Sequence, residues 1–120
     1  MERTMIPKYR AWDRETKSMN GMAEIYRNRK QEIELHPRDE NIILMQSTGL
    51  RDKNGKEIFE GDVLETKDGL LDGVVEYRTD LGMWTNSLFR YNNFERLCNV
   101  ADSTYIIGNI YENPELLEAN

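Results

Sequence analysis

The sequence has a single cysteine, Cys98, and a single histidine, His36, and only three prolines. One cysteine excludes an intramolecular disulfide and fits a reducing, cytoplasmic setting. The ligand set of a zinc site is missing, and no metal or cofactor is expected. No apolar run approaches the roughly 20 residues that cross a bilayer as a helix. The first residues do not read as a secretory signal, because Met5 and Ile6 are followed at once by Pro7, Lys8 and Arg10. No fixed-period repeat and no low-complexity linker divides the chain, so one domain over residues 1–120 is expected. Hydrophobic residues make up 38%, which allows a modest core with much polar loop.

What charge there is lies unevenly. The net charge is −6, from 16 basic and 22 acidic residues. Residues 1–38 hold nine Lys/Arg against six Asp/Glu, whereas residues 39–120 hold seven against sixteen. An acidic domain is repelled by phosphate backbones, so nucleic acid is not an expected partner. The one local exception is Tyr26, Arg27, Arg29 and Lys30, an aromatic among cations that suits phosphate contacts. A solvated charged loop accounts for that segment more simply.

Residues 45–64 organise the rest. They read as strand, tight turn, short apolar anchor, second turn and strand. Asn54 and Gly55 both tolerate positive φ and mark the first turn. Ile58 and Phe59 are the apolar pair that pins the loop, and Gly61-Asp62 turns the chain into Val63 and Leu64. The stretch holds no nucleophile, metal cluster or phosphate loop.

Before it, residues 6–13 read as a first strand and 17–19 as a short return, with a turn at Asn20-Gly21. Residues 22–26 pair as a further strand. Residues 27–41 form a charged excursion whose apolar points, Ile33 and Leu35, fit a short strand. Ile42, Ile43, Leu44 and Met45 form the most apolar run and read as a buried strand. After the organising stretch, strands are predicted over 63–67, 74–78, 83–85, 88–91, 94–100 and 104–111. Asn113, Pro114 and Glu115 then supply an N-cap, a first-turn proline and a first-turn acid for a short helix. Strands at roughly ten-residue intervals, separated by Gly, Asn and Asp, predict an all-β barrel or sandwich.

The segment 48–64, with Gly49, Asn54, Gly55, Gly61 and Asp62, resembles the central motif of the YopX family, small proteins of phages and prophages. Arg10-Ala-Trp-Asp, which includes Trp12, and residues 108–117, with Gly108 and Pro114, match at the two ends. Residues 23–41 and 66–103 match no motif. The resemblance implies an all-β fold related to SH3-type barrels, and it implies no activity.

Asp52 to Glu57 superficially suggests a calcium loop but lacks its further ligands and late Glu, so it reads as a turn. Glu57, Glu60 and Asp62 crowd together as acid–base carboxylates do, although Asp62 equally suits backbone hydrogen bonding at a strand entry. Cys98 reads as a small core residue beside Leu97. Trp12, Tyr77, Trp84, Phe89, Tyr91 and Phe94 suit a peptide-binding groove, yet a small domain needs most of them inside. Trp84, next to Gly82 and Thr85-Asn86, is the aromatic expected outside.

The reading that results is an all-β, SH3-like barrel or small β-sandwich with a short C-terminal helix. Its expected function is non-catalytic: a phage or prophage accessory protein in the host cytoplasm that binds a host or phage protein and associates with itself. Unpaired edge strands favour the latter, with the early third or residues 104–111 as the contact. Two alternatives stay open: a nucleic-acid-binding factor using Arg27, Arg29 and Lys30, and a hydrolase using Glu57, Glu60 or Asp62.

Overall fold

Strands dominate the computed structural model of the chain, which describes residues 8–24, 26–27, 33–34 and 41–117, with the backbone alone at 20–24, 26–27 and 33–34. The described chain divides into two units, Met1–Ser47 and Thr48–Asn120.

In the first unit, β1 (Lys8–Asp13) pairs antiparallel with β2 (Ser18–Glu24) on one side. On its other side it pairs with the first half of β5 (Ile42–Arg51), Tyr9 opposite Gln46 and Asp13 opposite Ile42. Ala11 and Trp12 are successive, so they point to opposite faces, and both are buried. The β1–β2 turn is held by the Asp13 carboxylate, which accepts from the backbone N–H groups of Glu15 at 2.9 Å and Thr16 at 3.2 Å. Asn20-Gly21 is not the expected turn. The residues lie inside β2, where the register shifts by one residue opposite Arg10 and Ala11. A bulge uses the same tolerance of Gly that a turn does, so sequence alone cannot separate the two. In the charged excursion, β3 (Tyr26–Arg27) pairs with β4 (Ile33–Glu34).

In the second unit, the end of β5 neighbours β6 (Glu57–Phe59). A five-stranded antiparallel sheet curves as a half-barrel. Its strands are β7 (Asp62–Glu65), β8 (Gly73–Arg78), β9 (Met83–Leu88), β10 (Phe94–Arg96) and β11 (Tyr105–Asn109), in the order β10-β9-β8-β7-β11. Ile58, Leu64, Val75, Leu97 and Ala101 form the buried core, with Leu50, Trp84 and Ile106 packed partly against it. The all-β expectation holds, and the run 45–64 folds as strand, turn, β6, turn and strand.

Three local expectations fail. The strand predicted over 94–100 stops at Arg96 and gives way to a helical turn, α1 (Leu97–Val100), then a 3-10 turn at Ala101–Ser103. Leu97 and Ala101, four residues apart, are the buried members of this segment, and that spacing is helical. Cys98 is therefore exposed rather than core. The strand predicted over 88–91 is absent beyond Leu88, the last residue of β9. The short helix expected after Asn113 is present, as one 3-10 turn, Pro114–Leu117.

Candidate functional site

Two of the carboxylates singled out in the sequence, Asp52 and Asp62, belong to the frame of the second unit, whereas Glu57 and Glu60 are half-buried beside them in sequence. Asp52 is buried, and its Oδ1 accepts from the backbone N–H groups of Asn54 at 2.9 Å and Lys56 at 2.8 Å. Its Oδ2 accepts from Ile106 N–H at 3.1 Å, so one side chain closes the Asn54-Gly55 turn and ties it to β11. Asp62 is buried, and its Oδ2 accepts from Phe59 N–H at 2.7 Å. That bond holds the second turn, where Gly61 takes φ +85°. Gly61 also donates to Val75 O and accepts from Ile110 N–H, each at 2.9 Å. Asn109 completes the frame: its Oδ1 accepts from Tyr111 and Glu112 N–H, and its amide donates to Glu112. Gly108 has no room for a Cβ, which would fall 2.4 Å from Asn113 Oδ1. Among the described residues, no group of three or more His, Cys, Asp or Glu is placed to hold a metal ion.

A different place offers a surface. A cleft of about 320 Å³ is lined by Thr48, Leu50, Met83, Trp84, Arg96 and Cys98. Thr48 and Leu50 come from the end of β5, Met83 and Trp84 from the start of β9, Arg96 from the end of β10 and Cys98 from α1. Trp84 is half-buried. It packs partly on the core and meets the exposed Tyr77 edge-to-face, with ring centroids 5.1 Å apart and an interplanar angle of 75°. The Thr48 hydroxyl is already committed, donating to Ile58 O at 2.8 Å and accepting from Leu50 N–H at 3.1 Å.

Arg96 is the only charged residue in the lining, and its exposed guanidinium has no ion pair or hydrogen bond with a described residue. Arg78, two strands along on β8, is different. It binds Asp80 through two hydrogen bonds, of 3.0 and 2.8 Å, and lies 4.8 Å from the Phe94 ring centroid. That bonding holds the Asp80 carboxyl below its ordinary range and the Arg78 guanidinium above its own.

Of the expected surface residues, only Trp84 lies in the cleft. Arg27 is described by its backbone in β3, and Arg29, Lys30 and His36 lie outside the described residues. Leu50, Met83 and Arg96 were not singled out. Met83 beside Trp84 and after Gly82 was a legible hint, whereas nothing in the sequence marks Arg96.

A family model described as YopX protein matches residues 8–118. The chain belongs to the YopX family. It is similar to the crystal structure of protein EF1440 from Enterococcus faecalis, at 29% identity over 95% of this chain and 99% of that one, with a TM-score of 0.56. It also shares the fold of protein yopX from Bacillus subtilis, at 22% identity, 97% and 99% coverage and a TM-score of 0.57. No curated protein matches the chain. Within the second unit, the YopX-like segments supply Asp52, Gly61, Asp62, Gly108 and Asn109. Four of the six cleft residues come instead from 66–103, where no motif was matched.

Proposed function

We propose that this YopX-family chain is a non-catalytic phage or prophage accessory protein, acting in the host cytoplasm, that binds another protein through the Trp84 cleft. A second copy of the chain is among its partners. The observation that carries the reading is the makeup of the cleft: apolar walls, a half-buried Trp and one uncommitted cation. Buried Trp and Arg dominate the energetics of protein contacts. Asp52 and Asp62, the buried carboxylates, are engaged by backbone N–H groups, which supports a structural role for them. Nucleic acid is not part of the proposal, given a net charge of −6. Among the described residues, no helix is long and apolar enough to cross a membrane.

Side-chain docking is favoured over strand addition. On the outer side of β11, Ile106 N–H is taken by Asp52 and Asn109 N–H by Asn113 Oδ1, while Thr104 O accepts from Lys53 N–H at 2.9 Å. An edge with its groups occupied offers an incoming strand little to pair with. At the other edge, β10 is three residues long and Phe94 N–H donates to Asn93 Oδ1 at 2.8 Å.

A photo-crosslinking residue placed at Met83, or at the exposed Lys67 as a control, tests the reading in the native host. The expected result is a discrete protein adduct from position 83 alone, lost when Trp84→Ala is added. Equal labelling from both positions, or no adduct from position 83, overturns it.

A further inference from the structure

The contents of the cleft constrain what fills it. A volume of about 320 Å³ sits at the low end of pockets that enclose small ligands, roughly 300–1,000 Å³. It takes one large apolar side chain, not a strand or a helix face. Arg96 at its border then selects a carboxylate close to that side chain.

The chain itself carries such a pair. Among the described residues, the exposed large apolar ones are Leu70, Tyr77, Leu81, Tyr91, Ile107 and Leu117. Tyr91 and Ile107 have no acidic residue within two positions. Beside Leu70, Asp68 and Asp72 are engaged by backbone N–H groups. Asp80, next to Leu81, is bound by Arg78, and Glu76, next to Tyr77, accepts from Ser87 Oγ at 3.0 Å. Leu117 alone has a nearby acid, the exposed Glu115, that bonds to no described residue. The 3-10 turn Pro114–Leu117 presents both, while Leu116 lies against Gly108.

We infer that the cleft receives the Leu117 turn of a second copy of this chain, with Glu115 set against Arg96. This rests on the reading of the cleft as a protein-binding surface and names its occupant. Charge favours this head-to-tail arrangement over a two-fold one. Two chains of net charge −6 repel, and a two-fold contact through the cleft would add Arg96 against Arg96. Cleft against turn pairs opposite charges instead. Each contact leaves one cleft and one Leu117 turn free, so assembly continues or closes as a ring.

Light scattering coupled to size exclusion across a dilution series reads the outcome, with thermal melts confirming that every variant is folded. The parent mass should rise above 14.2 kDa with concentration. Met83→Asp and Leu117→Asp should each stay at one chain, because each removes one half of the contact. Mixed together they should give a species of two chains and nothing larger, since the mixture holds one intact cleft type and one intact turn type. Arg96→Glu and Glu115→Lys should each weaken association by roughly two- to fivefold, the scale of an exposed ion pair. Combining them should restore it. A parent that remains at 14.2 kDa at every concentration overturns the inference. So does a mixture that fails to pair, or a Leu117→Asp variant that associates like the parent. A Met83 adduct to a different protein, with the parent monomeric, removes this occupant and leaves the protein-binding reading in place.

Discussion

The two sides of the second unit are built by different means. On the β6, β7 and β11 side, buried polar side chains tie turns to strands, and the residues that do so are those of the YopX-like segments. On the β9, β10 and α1 side, Trp84 and Leu97 supply apolar packing, the buried Thr85 and Asn86 side chains donate to Glu76 O and Leu71 O, and the Arg78–Asp80 ion pair is exposed. The first side is specified by hydrogen-bond geometry, which tolerates few residue types at each position. Around Trp84 and Leu97 the second side depends more on volume and burial, which many residues satisfy. The central and C-terminal YopX-like segments therefore mark the fold of this unit. The cleft proposed for docking lies on the second side.

Asp52→Ala should break the contrast most strongly. It leaves three backbone N–H groups without their acceptor, and a hydrogen bond to a charged group contributes about 1.5–3 kcal/mol. These contributions are not additive, so a loss of roughly 3 kcal/mol is expected from urea unfolding. A loss below about 1 kcal/mol would mean that water replaces the carboxylate and that the turn stands without it.

Gly61→Val comes next. Gly61 is buried at φ +85°, and its N–H and C=O are both bonded, so the backbone cannot rotate to suit a β-branched residue. Such strain costs about 1–3 kcal/mol. A melting temperature equal to the parent's would show that the second turn is soft. Arg96→Glu should shift stability by less than about 0.5 kcal/mol, as expected for an exposed residue away from special features. A large loss would make Arg96 part of the frame and erase the difference between the two sides.

How legible each side was follows from the same difference. Asn54-Gly55 and Gly61-Asp62 were readable because turn chemistry is local: the residues that cause the turn are the residues in it. The bond from Asp52 to Ile106 spans 54 residues and leaves no local trace, so its cross-link to β11 was invisible. Asn20-Gly21 misled because bulges and turns call on the same residues. The α1 turn was missed because β10 runs directly into it and the Leu97–Ala101 spacing is too short to establish a period. The cleft was half visible: Trp84 stood out, whereas Arg96 joins it only because β10 lies beside β9, with Arg96 opposite Thr85.

The smallest effect is expected at the tip of the β8–β9 hairpin, where the exposed Arg78–Asp80 pair tests the packing side for a hidden electrostatic term. Hydrogen bonding from Arg78 lowers the Asp80 pKa, so the folded state binds this proton less readily than the unfolded chain does. The stabilisation is therefore full above the ordinary carboxylate range and is lost as pH falls through the lowered folded value. The raised Arg78 pKa acts at the opposite end and changes nothing until strongly alkaline pH. Between these limits the pair should add no pH dependence. Asp80→Asn should lower the urea midpoint slightly at neutral pH, and the gap between variant and parent should close in acid, where Asp80 is protonated in both states. A gap that persists in acid would assign the effect to the turn itself, where Arg78 O accepts from Leu81 and Gly82 N–H. The packing side would then rely, like the other, on turn geometry.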